Sequence, residues 1–149
     1  MITARRLGPG DEPIIAALAQ EEQAFDVEGR GHPREPIVGA VAADYLVDQH
    51  VLHWVAEDGE TVVGHLLCYL QRRRADEPLQ VMLYEIGVRR DHRRQGIGRT
   101  LMSKMEEWMR EAGVGRVWVL ADNQEAEAFY AACGFSRDDP QPVQMSRRL

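Results

Sequence analysis

Apolar residues recur along this chain with two different periods, and the switches between them mark its elements. Ile2 to Leu7 reads as a strand. Gly8-Pro9-Gly10-Asp11 is turn chemistry, with Asp11 placed to cap a helix and Pro13 in its first turn. Ile14, Ile15, Leu18 and Ala19 then share one helical face. Phe25 to Pro36 is rich in Gly, Pro and charge and reads as loop, and residues 37–49 read as a second helix carrying Val41, Tyr45 and Leu46. Val51 to Ala56 and Thr61 to Leu70 are strand-like, joined by Glu57-Asp58-Gly59-Glu60, whose Asp-Gly pair is a hairpin signal.

After a charged connection, Arg72 to Pro78, the apolar run Leu79 to Val88 predicts another strand. A helix from Gly96 to about Ala112 follows, with Ile97, Leu101, Met105 and Trp108/Met109 on one face and Gly113 and Gly115 at its end. Arg116 to Ala121 predicts a short buried strand, Gln124 to Cys133 a helix closed by Gly134, and Val143 to Arg147 a final strand. The order β, two helices, three β, helix, β, helix, β argues a mixed α/β (α+β) fold around one central sheet, with residues 1–149 as a single domain.

The stretch Val88-Arg89-Arg90-Asp91-His92-Arg93-Arg94-Gln95-Gly96-Ile97-Gly98 joins a strand to a helix N-terminus. The first N–H groups of a helix have no internal partner, and its dipole places partial positive charge there. Gly96 and Gly98 admit a ligand close to the backbone, and Arg89, Arg90, Arg93, Arg94 and Arg99 add charge. A diphosphate suits this place. The nucleotide P-loop string G-x-x-x-x-G-K-[ST] does not occur. The dinucleotide fingerprint fails at its third glycine, where Leu101 stands, although Asp122 is placed like a ribose-binding acid.

Arg93-Arg94-Gln95-Gly96-Ile97-Gly98 fits a third pattern, [QR]-x-x-G-x-[GA], and it resembles the acyl-CoA loop of the GNAT superfamily of N-acetyltransferases. Asn123, Ala126, Tyr130, Gly134 and Phe135 match that family's later signature, N-x-x-A-x-x-x-Y-x-x-x-G-F. The resemblance covers residues 51–136. It implies a GNAT fold, with a central, mostly antiparallel sheet splayed at the acyl-CoA site and flanked by about four helices. It also implies acetyl-CoA as cofactor, held by Ile86, Val88, Arg93, Arg94, Gln95, Gly96, Ile97, Gly98, Arg99, Asn123, Ala126 and Tyr130. A homodimer is the family's common arrangement.

Transfer of an acetyl group to an amine needs a base for the ammonium, donors for the developing oxyanion and a proton for the leaving thiolate. Glu85 stands inside an otherwise apolar strand, where partial burial would raise its pKa and suit it as the base. Strict alternation puts Tyr84, Ile86 and Val88 on one face and Leu83, Glu85 and Gly87 on the other. Gly87 marks a place for the bulge at which the family splays this strand, turning the Val88 N–H toward the thioester carbonyl. Tyr130 matches the tyrosine that the family keeps near the CoA sulfur as acid. Asn123 is placed both to cap the last helix and to meet the pantetheine arm. The alternative readings are a surface glutamate, a core glycine, a core tyrosine and a plain helix cap.

Composition bounds the rest. Hydrophobic content of 44% and charged content of 28% are those of an ordinary globular protein, and no apolar run reaches the ~18 residues of a membrane helix. Met1 to Leu7 lacks an apolar core, so a secretory signal is not expected and a cytoplasmic location is. Cys68 and Cys133 form neither a disulfide framework nor a metal spacing, and Cys133 reads as packing rather than a nucleophile. His50-Val51-Leu52-His53 has no neighbouring acid on a helix to complete a zinc site, so no metal is expected. The acidic total, −6, and the lack of an aromatic platform argue against nucleic acid.

The charge is uneven. The first 70 residues carry 12 acids against 4 arginines, and the remainder 14 basic residues against 12 acids. An acidic lip would attract a cationic acceptor, and Glu22, Asp26, Glu28 and Asp122 are its candidate residues. A solvated acidic surface is the alternative. Arg6-Leu7-Gly8-Pro9, Asp44-Tyr45-Leu46, Val62-Val63-Gly64, Tyr69-Leu70 and His92 to Ile97 are similar to the type I aminoglycoside 3-N-acetyltransferases. That resemblance implies acetylation of an aminoglycoside antibiotic, hence antibiotic resistance. The chain departs from it at Glu85-Ile86-Gly87, where Asp-Leu-Ala is typical, and in a shorter, less acidic loop after Asp122. Another small amine, a protein amino group, or a CoA-binding regulatory module without turnover are the other readings.

Overall fold

The computed structural model describes residues 1–25 and 32–149. Five strands form one sheet in the order β1 (Ile2–Arg6), β2 (Val51–Asp58), β3 (Thr61–Gln71), β4 (Gln80–Val88), β5 (Val117–Val119). The first four are antiparallel neighbours, and β4 pairs with β5 in parallel. This is the mixed, mostly antiparallel sheet expected of the GNAT fold. On the chain before β2 lie α1 (Glu12–Gln20), the single turn α2 (Glu22–Phe25) and α3 (Gly39–Val47). The helices α4 (Ile97–Ala112) and α5 (Gln124–Ala132) flank β5 in sequence.

Alternation along β2 and β3 sorts their side chains between two cores. Leu52, Trp54 and Ala56 of β2 and Leu66 and Cys68 of β3 pack with Leu101, Met102, Met105 and Met109 of α4. Val55 faces the other way, onto Leu7, Ile15, Leu18 and Phe25. The period read for α4 is thus its buried stripe, and Gly113 ends the helix at φ +71°, donating its N–H to Arg110 and Met109 carbonyls. Gly59 takes φ +61° in the β2–β3 hairpin.

Three expectations are corrected. Residues 143–147 form no strand, and Val143 and Met145 stand exposed, because no sheet edge pairs with them. Asp11 does not cap α1 with its side chain. Its carboxylate instead accepts the Gly8 N–H at 2.8 Å and two Arg5 N–H groups at 2.9 Å, which hold its pKa below the usual carboxylate range. The strand β4 does not alternate strictly. Leu67 pairs with Glu85 and Cys68 with Leu83, so Tyr84 is an extra residue on β4 and the bulge lies there, not at Gly87. Among the described residues, no helix is long and apolar enough to cross a membrane.

Candidate active site

The strand β5 follows β4 only from Val81 to Leu83, while β4 continues to Val88. Past that point the two diverge, and a cavity of about 940 Å3 opens between them and runs across to α1, α2 and α3. The bulge at Tyr84 gives the two sides of β4 different work. Ile86 and Val88 pack with Leu83 in the α4 core. Glu85 faces away from it, 3.9 Å from His65 Nδ1. The Arg89 N–H donates to the Val63 carbonyl at 2.8 Å. Strand geometry therefore turns the preceding Val88 N–H to the opposite edge, into the gap that β5 leaves.

One end of the cavity is the loop before α4. Gly96 precedes the helix at φ +79°, and no side chain caps the helix N-terminus. The first N–H groups of α4 therefore remain for an external acceptor. Gly96, Ile97, Gly98, Arg94 and Arg99 all line the cavity there. Arg94 itself takes φ +62°, a left-handed conformation that costs a non-glycine residue roughly 1 kcal/mol. A Cβ on Gly98 would lie 3.0 Å from Phe129 Cζ, so this glycine lets α5 close against α4. These donors and glycines fit a diphosphate. Gln95 is exposed and does not line the cavity; Arg93 lines it, with its guanidinium engaged by protein carbonyls.

The helix α5 supplies the facing wall. Asn123 Oδ1 accepts the Ala126 N–H at 2.8 Å, the cap read from the sequence, and both residues line the cavity. One helical turn on, Tyr130 is buried, with its ring against Phe129 and Phe135. Burial, with a smaller contribution from Asp122, pushes its phenol up to about 12, so it holds its proton at neutral pH. The Cys133 thiol is also pushed up by burial, the opposite of what a nucleophile needs.

Glu85 stands in the other half of the cavity. Burial raises its pKa, with Arg34 opposing and Glu22 adding to the rise. Behind it lie two histidines that sequence reading did not place here. His65 and His53 are buried with ring centroids 5.6 Å apart, and His53 Nδ1 meets the Tyr45 hydroxyl at 2.9 Å. Burial lowers His53 to about 3 and His65 to about 4. Desolvation, with Arg34 adding to it, keeps His65 neutral although Glu85 lies 3.9 Å away. The signal for both was strand phase: His53 and His65 share a face with Val55, opposite the α4 core. Gly87 pairs with His65, and a Cβ there would lie 3.0 Å from His65 Nε2, so this glycine makes room for the ring.

Of the acids named for the acceptor, Glu22 and Asp122 line the cavity, and Glu22 meets Arg34 at 3.2 Å. Asp26 and Glu28 lie outside the described residues. Glu35, Arg34, Tyr45, Tyr69 and Tyr84 also face this half and were not anticipated. His50 pairs at the surface with Asp48, while His53 points inward.

Known proteins are similar to this chain in sequence or in fold. The chain is 27% identical over 145 residues to GCN5-related N-acetyltransferase 2, chloroplastic, of Arabidopsis thaliana, covering 85% of this chain and 55% of that one. It is 28% identical over 111 residues to N-acetyltransferase family 8 member 2 of Rattus norvegicus, covering 73% and 49%. The chain thus spans about half the length of the curated relatives it matches. An aminoglycoside acetyltransferase from an uncultured soil metagenomic sample, crystallised with trehalose, superposes with a TM-score of 0.83 at 23% identity, covering 99% of this chain and 96% of that one. A ribosomal-protein-alanine N-acetyltransferase from Brucella melitensis biovar Abortus 2308 superposes at 0.74 with 18% identity, each chain covered in full. The profile of the acetyltransferase (GNAT) family matches residues 15–135, a span that holds the splayed strands, the glycine loop and the α5 wall together, and the chain belongs to that family.

Proposed function

We propose that this protein is an acetyl-CoA-dependent N-acetyltransferase that acetylates a primary amine directly, and that its acceptor is a polycationic aminosugar of the aminoglycoside class. The observation that carries the reading is one cavity with an uncapped helix N-terminus at one end, Glu85 in the other half and Tyr130 on the facing wall. Bound acetyl-CoA supplies an activated acetyl thioester. The α4 N–H groups, Arg94 and Arg99 hold its diphosphate, and the Val88 N–H faces the gap that admits the acyl arm. Glu85, with its raised pKa, takes a proton from the acceptor ammonium. Tyr130, protonated at neutral pH, gives one to the departing thiolate.

The acceptor assignment rests on charge and likeness. Glu22, Glu35 and Glu85 line the half of the cavity away from the glycine loop, with Arg34 among them. Tyr45, Tyr69 and Tyr84 give that half aromatic faces for a sugar ring or an ammonium. An aminoglycoside acetyltransferase in complex with sisomicin shares the fold at a TM-score of 0.79 and 22% identity. The test is thiol release from acetyl-CoA against sisomicin, gentamicin, polyamines, amino acids and short peptides. Saturable turnover with the aminoglycosides is expected. Turnover confined to peptides or amino acids would retain the acetyltransferase and discard the acceptor. No binding of CoA by calorimetry would discard both.

A further inference from the structure

Arg93 opens the glycine-loop motif and lines the cavity, yet its guanidinium is bound to two backbone carbonyls. Its Nε donates to the Val88 carbonyl at 3.1 Å, and its Nη2 donates to the Phe25 carbonyl at 2.9 Å. The two carbonyls end β4 and α2, elements far apart in sequence. Arg89 reaches the same segment from the other side. Its Nη1 donates to Glu21 Oε2 at 2.8 Å, and its guanidinium lies 5.9 Å from the centroid of the Phe25 ring.

The segment so held forms part of the wall of the acceptor half. Phe25 is buried edge-on to His65, with ring centroids 5.3 Å apart, and its Cβ would be 3.2 Å from a Cβ on Gly87. Glu22, one turn earlier, lines the cavity and meets Arg34. A helix of one turn does not sustain itself, because nucleation fixes several dihedrals for a single hydrogen bond. What holds Glu22–Phe25 in place is therefore tertiary: the burial of Phe25, the ion pair of Glu22 with Arg34, and the two arginines of the loop.

Resting on the acetyltransferase reading above, we propose that Arg93 is a positioning residue for the acceptor and not a ligand of the cofactor diphosphate. With Arg89 it clamps residues 21–25, and so sets where Glu22 and Phe25 stand beside Glu85. The motif arginine thus links the cofactor end of the site to the acceptor end. A guanidinium suits this work because its planar fork offers donors in two fixed directions, and bonds from a charged donor are the stronger kind.

The experiment measures three quantities in Arg93→Gln, Arg93→Lys and Arg89→Met: the Kd for CoA by calorimetry, the KM for sisomicin, and amide hydrogen exchange of residues 21–25. Arg93→Gln removes the charge and should leave the CoA Kd within about twofold, while the acceptor KM rises about tenfold or more. Exchange at residues 21–25 should quicken in all three variants, with the α4 amides unchanged. Arg93→Lys keeps the charge but cannot span both carbonyls, so it should behave like Arg93→Gln. Arg94→Gln serves as control and should weaken CoA instead. A CoA Kd weakened about tenfold in Arg93→Gln with unaltered exchange at residues 21–25 would overturn the proposal. If wild-type protein turns over another amine, that amine replaces sisomicin. If it binds no CoA, the functional reading fails, and the exchange experiment still decides the clamp.

Discussion

Gly64 ties the stability of the sheet to the end of the site proposed to hold the cofactor, and Gly64→Ala tests that tie. A Cβ at this position of β3 would lie 2.8 Å from Ile97 Cγ2, 3.2 Å from Leu101 Cδ1 and 3.4 Å from the Gly87 carbonyl oxygen. Both side chains are packed in the core, Ile97 at 2% and Leu101 at 0% exposed. The Ile97 methyl sits on a β-branched carbon with one preferred rotamer in a helix, so relief requires movement of the α4 backbone. Overpacking of this kind costs about 1–3 kcal/mol. For a chain of 149 residues, that corresponds to a fall in Tm of roughly 3–10 °C. Ile97 is also the first residue of α4, so the same movement displaces the N–H groups assigned to the diphosphate, and the CoA Kd should rise with the loss of Tm. Calorimetry measures both. Gly115→Ala is the control, since nothing lies within 4 Å of a Cβ there, and it should not lower Tm. A Gly64→Ala protein melting within about 1 °C of wild type would refute the close-packing argument. A lowered Tm with unaltered CoA affinity would instead refute the link between α4 placement and the site.

Glu85→Gln should lower kcat by about 100-fold while CoA binding persists. Because burial raises the Glu85 pKa, wild-type kcat/KM should rise with pH through a value above the ordinary glutamate range, and a limb unchanged in the variant would remove Glu85 from the mechanism. Tyr130→Phe should lower kcat by about 100-fold with little change in acceptor KM, and unaltered turnover would reduce the tyrosine to packing. His53 and His65 titrate near 3 and 4 in the folded state, against an ordinary value of 6.5. The two histidines of the unfolded chain therefore take up protons first on acidification, so their contribution to stability is level above about pH 7 and declines from about 6.5 toward 4. Denaturation midpoints across that window should fall in wild type and fall less steeply in His65→Leu. Equal slopes in the two proteins would show that His65 is not held neutral.

Local chemistry made much of this legible in the sequence. The α4 stripe needs only helical period, Gly113 only the left-handed conformation after a helix, and Asn123 only an oxygen within reach of a free N–H. The glycine loop was visible because backbone anion sites require glycine and a helix start, both local. The missing features depend on partners distant in sequence. The bulge at Tyr84 is a relation between β4 and β3, and no property of β4 alone reveals it. The buried histidines come from two strands, and each looks like an ordinary polar residue until the strands pair. Val143 and Met145 show the converse, since their alternation is that of a strand but no edge receives it. Arg93 is a further case: its place in the pattern suggested phosphate, while its hydrogen bonds go to the Val88 carbonyl and to that of Phe25, 68 residues away.

The bulge also explains how one strand serves two chemistries. With strict alternation, Leu83 and Glu85 would share a face. Leu83 packs with Leu101 and Met105, which are 0% and 1% exposed, so a carboxylate on that face would be buried among apolar groups without a partner. The extra residue at Tyr84 breaks the phase. Leu83, Ile86 and Val88 stay with the α4 core, while Tyr84 and Glu85 both turn to the half of the cavity that holds His65, Tyr69 and Arg34. Glu85 is thereby desolvated enough to raise its pKa yet keeps 40% of its side chain exposed, the condition a base needs to meet a charged amine. Three residues further on, the restored phase lets the Val88 backbone face the gap beside β5. A single inserted residue thus places the proposed base on one side of the strand and the backbone proposed to bind the acyl group along its edge.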